Sequence, residues 1–213
     1  RLQGAKGLTE HRTLNTLPAV RAISGLTLAV VLSGCSVVKM QRVRDDWPTV
    51  GAPSVKRLQL VVQPLPAGNE KVAELFGKVA RRYVHMKRDF LMMGVTVSNP
   101  SPPMGALCGE GRDGVLWLKP TVLTQGDGFE ASIELRLFRC SDGAEQWGAD
   151  AGGSFPAKDS GLAEVAKNYA QELGPEVERY VPLAMNLLRP PLDTLPQPKL
   201  TDADVEEKMG LDE

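Results

Sequence analysis

Histidine is almost missing from this chain: His11 and His85 are the two among 213 residues. Cysteine is scarce, at three, and neither sign of charge dominates, with 25 Lys and Arg against 26 Asp and Glu. No apolar run reaches the roughly 20 residues that a membrane-spanning helix needs, and no segment repeats another. Each shortage removes a class of function. Ser-His-Asp or Cys-His catalysis would have to work from one or two imidazoles. A zinc centre would lack its usual ligands, so no metal and no cofactor is expected. Balanced charge gives no basic footprint for nucleic acid.

The apolar segment that does occur is short, Ala22-Ile23-Ser24-Gly25-Leu26-Thr27-Leu28-Ala29-Val30-Val31, with Arg12 and Arg21 before it. A cationic flank and a short apolar core make the pattern of a secretory signal. The segment closes on Leu32-Ser33-Gly34-Cys35, which resembles the lipobox of bacterial lipoproteins. Ser33 and Gly34 leave room for a peptidase, and Cys35 supplies the thiol that can carry a thioether-linked diacylglycerol. The resemblance implies lipid attachment at Cys35, with Leu32, Ser33 and Gly34 as the recognition residues. The alternatives are a secreted protein with a coincidental cysteine, or a buried helix of a cytosolic domain. Ser36 follows the lipidated position, and in diderm lipoproteins serine there accompanies export to the outer membrane. The implied location is the outer membrane, lipid-anchored and facing the periplasm. The chain opens on Arg1 and has no methionine before Met40. Residues 1 to about 18 therefore read as an over-extended start, a non-methionine start codon or a fragment boundary.

Cleavage before Cys35 leaves 179 residues, with 21 Lys and Arg, 25 Asp and Glu, and a net charge of about −4. That length suits one domain, which buries about 70% of its unfolded surface. Mild acidity offers no attraction to anionic lipid, so membrane attachment rests on acyl chains at about 0.8 kcal/mol per buried methylene. Cleavage also leaves Cys108 and Cys140 as an even pair in an oxidising compartment. If the strands either side of Gly126-Asp127-Gly128 pair as a hairpin, Leu123 faces Glu130 and Cys140 faces Asp113. Cys108 lies five residues earlier, across a glycine-rich loop, so a Cys108–Cys140 disulfide is expected; two buried free thiols are the alternative.

Four segments follow: 1–34 as signal peptide, 35–54 as lipidated tether, 55–189 as an α/β domain, and 190–213 as a Pro-rich, acidic tail. Ser36 to Ser54 has mixed charge, Pro48, Gly51, Pro53 and no periodicity. As flexible chain it would hold the domain on the order of 25 Å from the bilayer, with Trp47 docked on the domain or seated among headgroups. Leu58, Leu60 and Val62 alternate with Arg57, Gln59 and Gln63, a strand pattern. Asn69 then caps a helix with Val72, Leu75, Phe76, Val79, Tyr83 and Phe90 on one face, ending at Gly94. Val95 to Ser98 reads as a short strand. Val115 to Leu123 and Phe129 to Arg139 are strands, the second alternating strictly from Phe129 to Leu137. Another strand spans Glu145 to Ala151. Asp159 or Ser160 caps a second helix with Leu162, Val165, Ala166, Tyr169 and Leu173 inward. After Gly174-Pro175 a third helix carries Val177, Val181, Leu187 and Leu188, kinked at Pro182. Leu192 and Leu195 should pack on the domain, and the last dozen residues should be mobile. This order predicts an α/β (α+β) two-layer sandwich: a mixed sheet with an antiparallel meander and helices on one face.

Several patterns resemble chemistry. Gly109-Glu110-Gly111-Arg112-Asp113-Gly114 fits G-x-G-x-x-G, but dinucleotide binding needs a helix at its end. A strand follows here, so the segment is a loop. His85 lies on a helix and reads as partly exposed. Glu130 and Glu134 share a strand's polar face, with no pocket implied. Tyr83, Tyr169 and Tyr180 with Met86, Met92 and Met93 could line a lipid cavity, yet their helical spacing reads first as core.

Two resemblances add to this. Asp113-Gly114-Val115-Leu116-Trp117, Gly126-Asp127-Gly128, Leu135, Leu137, Asp142-Gly143 and Trp147 resemble the strand-hairpin segment of periplasmic α/β domains. Those include the TolB amino-terminal domain, the curli-secretion lipoprotein and penicillin-binding-protein activator lipoproteins. The run Leu32 to Lys39, the Val55 to Pro66 strand region, Ala80-Arg81-Arg82-Tyr83 and Glu172-Leu173-Gly174-Pro175-Glu176-Val177 resemble an uncharacterised lipoprotein family of myxobacteria and related diderms. That family carries no assigned activity. The expectation is a non-enzymatic binding or scaffold lipoprotein that docks onto another envelope protein and touches the membrane through its lipid. The alternative is a carrier or sensor of lipid or peptidoglycan fragments.

Overall fold

In a computed structural model, residues 37–65, 70–98, 104–109 and 111–211 are described. Six strands form one mixed sheet: β1 (Val38–Val43), β2 (Arg57–Val62), β3 (Leu91–Val97), β4 (Gly114–Gln125), β5 (Gly128–Arg139) and β6 (Glu145–Pro156). Their spatial order is β1-β6-β5-β4-β2-β3. Pairing is antiparallel from β1 to β4, and parallel from β4 through β2 to β3. The main helices are α1 (Glu70–Lys87), α2 (Ala163–Leu173), α3 (Val181–Leu192) and α4 (Asp202–Gly210).

The alternation in β5 decides which face is covered. Phe129, Ala131, Ile133, Leu135 and Leu137 are buried, joined by Leu60, Leu116, Leu118 and Trp147 from neighbouring strands. Phe76 and Val79 of α1, Tyr169 of α2 and Leu187 and Leu188 of α3 fill the same core. The result is the expected two-layer sandwich of a mixed sheet and helices. The hairpin pairs Leu123 with Glu130 as the turn length predicts.

From Val38 on, the segment expected to be a tether is instead part of the fold. Val38–Val43 adds β1 to the edge of the sheet, with Val43 opposite Trp147. An edge strand pairs through its backbone, and the side chains of residues 39–43 are exposed, which is why no alternation marks it. Helical turns at Trp47–Gly51 and Ala52–Ser54 follow. Trp47 is docked, 5% exposed, its Nε1 donating to the Gln197 carbonyl at 3.3 Å and its ring 6.5 Å from that of Phe90. Gly51 makes room for that ring: a Cβ there would stand 2.3 Å from Cε3 of Trp47.

Three other expectations change. Helix α1 stops at Lys87 rather than Gly94, because Asp89 takes φ 55° and Phe90 turns into the core ahead of β3. Pro182 lies in the first turn of α3, where its missing N–H costs nothing, and Pro175–Tyr180 is a separate 3₁₀ segment. Leu192 and Leu195 are fully buried, as expected, but the residues after them that were expected to be mobile form α4, which a capping box of Thr201 and Asp204 starts.

Candidate functional site

The residues Leu32, Ser33, Gly34 and Cys35 lie outside the described residues, as does the whole signal segment 1–34. The first described residue is Val37, whose carbonyl accepts from Gly152 N–H at 2.8 Å. The strand β1 begins at Val38, three positions after Cys35.

Cys108 and Cys140 form the disulfide, with S–S 2.10 Å and Cα–Cα 5.3 Å. The hairpin register brings Cys140 N–H to the Asp113 carbonyl at 2.8 Å, and Asp113 Oδ2 accepts from the backbone of Arg57 at 2.9 Å. The bridge pins the helical turn Met104–Leu107 over the uncovered face of the sheet, where Val61, Leu107 and Val115 make a second small core against Trp117. The glycine-rich loop therefore closes a lid and leads into β4, as a strand and not a helix follows it. Beyond the lid, this face carries ion pairs in place of apolar groups: Arg136–Asp150 at 2.6 Å, Arg42–Glu145 at 2.6 Å and Lys119–Glu134 at 3.0 Å.

The edge opposite β1 is β3, and no described strand pairs with its outer side. Beside it runs a groove of about 560 Å³ between β3 and α1, lined by Glu70, Glu74, Lys78, Arg81, Val95 and Val97. Lys78 bridges to Glu172 of α2 and lies 4.0 Å from Glu74. Val95 and Val97 are half-buried and Met93 is 36% exposed. Sequence reading placed a short strand at Val95 to Ser98 but gave Leu91 to Gly94 to the helix end, so it found the second half of this edge and missed the first. The β-branched Val95, Thr96 and Val97 carried the signal. A second, open cleft of about 1060 Å³ lies between the end of β6 and α2, with Lys158, Asp159, Glu176 and Arg179 in its wall. Arg179 sits over the Phe129 ring at 5.0 Å.

His85, expected to be partly exposed, is 8% exposed and packed into the α1 face. Among the described residues no group of three or more His, Cys, Asp or Glu side chains could hold a metal ion. Glu130 accepts from Ser154 at 2.6 Å, and Glu134 pairs with Lys119, so this carboxylate pair is engaged along the sheet. Tyr169 and Met92 are core, whereas Met86 is exposed. Burial, then its hydrogen bond to Asp193, raises the Tyr83 hydroxyl above its ordinary pKa.

Salt-bridge chemistry concentrates where α4 meets the start of β2. Asp204 accepts from Lys56 Nζ at 2.6 Å and from Arg57 Nη2 at 3.1 Å. Arg57 also donates to Glu207 through Nε at 3.0 Å, and Lys208 reaches Asp89 at 3.1 Å. The Lys56 ammonium and the Thr201 donors hold the Asp204 carboxyl well below the usual carboxylate range. Hydrogen bonds from Arg139 and the Ala144 N–H do the same for Asp142.

No protein-family model and no curated protein sequence matches the chain. Several solved structures resemble it. The PelC dodecamer from Paraburkholderia phytofirmans is 15% identical over 76% of this chain and 100% of its own, with a TM-score of 0.39. Lipoprotein GNA1162 from Neisseria meningitidis is 14% identical over 56% of this chain and 99% of its own, at 0.36. The hypothetical protein CT253 from Chlamydia trachomatis is 15% identical over 59% and 98%, at 0.35. Structures titled as bacterial lipoproteins are thus among those the chain resembles. With TM-scores below 0.5, none of them assigns a role or an assembly to this chain.

Proposed function

We propose that this chain is a lipid-anchored, non-enzymatic envelope protein, held at the outer membrane through Cys35 and facing the periplasm. Its sheet is a scaffold that docks an extended segment of another envelope protein. The observation that carries this reading is the placement of the two sheet edges. One edge, β1, begins three positions after the cysteine of the lipobox in the sequence; the other, β3, has no described strand beyond it. An exposed edge offers unpaired backbone donors and acceptors to an incoming strand. The groove beside it carries both signs of charge and half-buried valines. The fitting segment is therefore extended, apolar at alternate positions and mixed in charge. The disulfide supports an oxidising compartment.

The carrier reading has less support. The space between sheet and helices is filled by buried side chains, and both clefts are open and rimmed by charged groups. Two experiments test the proposal. Cys35→Ala is expected to abolish palmitate incorporation and release the protein from membranes; retention of both would sink the anchor. A photo-crosslinking residue at Met93 in the membrane-bound chain is expected to give a discrete protein adduct. Failure to recover any reproducible adduct counts against docking at β3.

A further inference from the structure

Resting on the lipid anchor proposed above, we infer that the β4–β5 hairpin tip, Leu123–Asp127, is the surface that contacts the bilayer holding the Cys35 acyl chains. The register fixes the geometry. Val37 bonds to Gly152, Gly152 pairs with Ser132, and Ser132 pairs with Thr121. These four residues lie in one row across the sheet, at the end where β1 begins. Past that row, β4 and β5 continue for another four residues each, to Gln125 and Gly128. Four residues extend about 14 Å. Sheet twist of about 20–25° per strand, taken twice between β1 and β5, leaves roughly 9–10 Å along the β1 direction. Cys35 stands two residues before Val37, and two residues span at most about 7 Å. The hairpin tip therefore reaches at least as far as the lipidated cysteine, on the same end of the sheet.

The tip suits an interfacial position. Leu123 is 64% exposed, the largest exposure among the exposed large apolar side chains. Thr124, Gln125 and Gly126 beside it are uncharged; Asp127 lies in the turn, Glu130 stands opposite Leu123 and accepts from Ser154, and Lys158 and Asp159 follow the end of β6. The opposite end of the sheet, where α4 pairs with Lys56 and Arg57, is charged. With Cys35 two residues before Val37, the anchor holds this end of the sheet close to the bilayer. The apolar tip therefore faces the headgroups, and the charged end faces the periplasm.

The test compares two exposed positions at opposite ends. Leu123→Trp and Val205→Trp are made in the full lipidated chain; Val205 is 44% exposed on α4. Each is placed in vesicles of phosphatidylethanolamine and phosphatidylglycerol, with and without brominated phospholipid. Wild type gives the background from its own tryptophans. L123W is expected to show a blue-shifted emission and a loss of intensity to the bromolipid, while V205W follows wild type. Unquenched L123W in protein whose mass shows an acylated Cys35, or quenching of V205W instead, overturns the inference. A mass without the acyl group overturns the anchor reading itself, and this inference falls with it.

Discussion

Replacing Trp47 by alanine tests whether residues 38–54 belong to the fold. A tryptophan side chain buries about 150–250 Å², and at about 25 cal/mol per Å² that is worth about 4–6 kcal/mol. Compaction of the unfolded chain trims such a figure by roughly 10–40%. The remainder, about 3–5 kcal/mol, matches the usual cost of truncating a buried aromatic. The hydrogen bond from Nε1 to Gln197 is lost too. Urea unfolding of the purified protein, followed by far-ultraviolet circular dichroism, reads the effect. At a slope near 2 kcal/mol per M, the midpoint is expected to fall by about 2 M. Val50→Ala, a neighbouring position 41% exposed, is expected to leave the midpoint in place. A change within about 0.5 kcal/mol in W47A, the size of an ordinary surface substitution, would refute the reasoning and restore the flexible tether.

Other expectations follow from the same contacts. Replacing Cys108 and Cys140 together by serine opens a loop with a sequence separation of 32. On the chain-entropy model this costs roughly 3.5–4 kcal/mol, and amide exchange should rise first at Met104–Leu107; an unchanged unfolding midpoint would count against it. The Asp204 pKa is depressed in the folded state, so its stabilisation is present above the unfolded value near 3.9 and fades as pH falls through the folded one. Amides of α4 should therefore lose protection below about pH 4 before those of β4 and β5, and Asp204→Asn should produce the loss at pH 7. Equal protection of α4 in that variant would be contrary. Gly77→Ala places a Cβ 2.6 Å from Val95 Cγ1. Overpacking of about 1–3 kcal/mol should outweigh the roughly 1 kcal/mol that alanine contributes to a helix, and Val95→Ala should relieve it. Stabilisation by Gly77→Ala alone would show that the contact yields.

What sequence reading recovered is local. The hairpin was legible because Phe129 to Leu137 alternates strictly and Gly126-Asp127-Gly128 marks the turn, and the disulfide followed from that register. The edges were less legible: β1 was read as tether, and only the Val95–Val97 half of β3 was read as strand. Met40, Gln41, Arg42 and Val43 are exposed on β1, so no buried face imposes a pattern. β3 follows a helix whose periodicity carried through Phe90, and the stop comes from the left-handed backbone of Asp89, a residue type that tolerates that conformation but does not demand it. The candidate groove was hidden for the same reason, since it exists where β3 comes alongside α1. The α4 helix has no strong apolar stripe; its one sequence mark is Thr201 three residues before Asp204. The lipobox remains a reading of sequence, outside the described residues.

The two misread ends are one feature. Trp47 bonds to Gln197, the Lys199 N–H donates to the Ala52 carbonyl at 2.7 Å, and Lys56 pairs with Asp204. Each contact joins a residue just past β1 to one past α3, about 150 positions away in the chain. Local composition cannot encode such pairing: the proline and charge that look like linker in both segments are the groups that meet here. The consequence is mechanical. A pull on the start of β1 passes into β6 through its ladder and is resisted by the tail clasped behind Trp47.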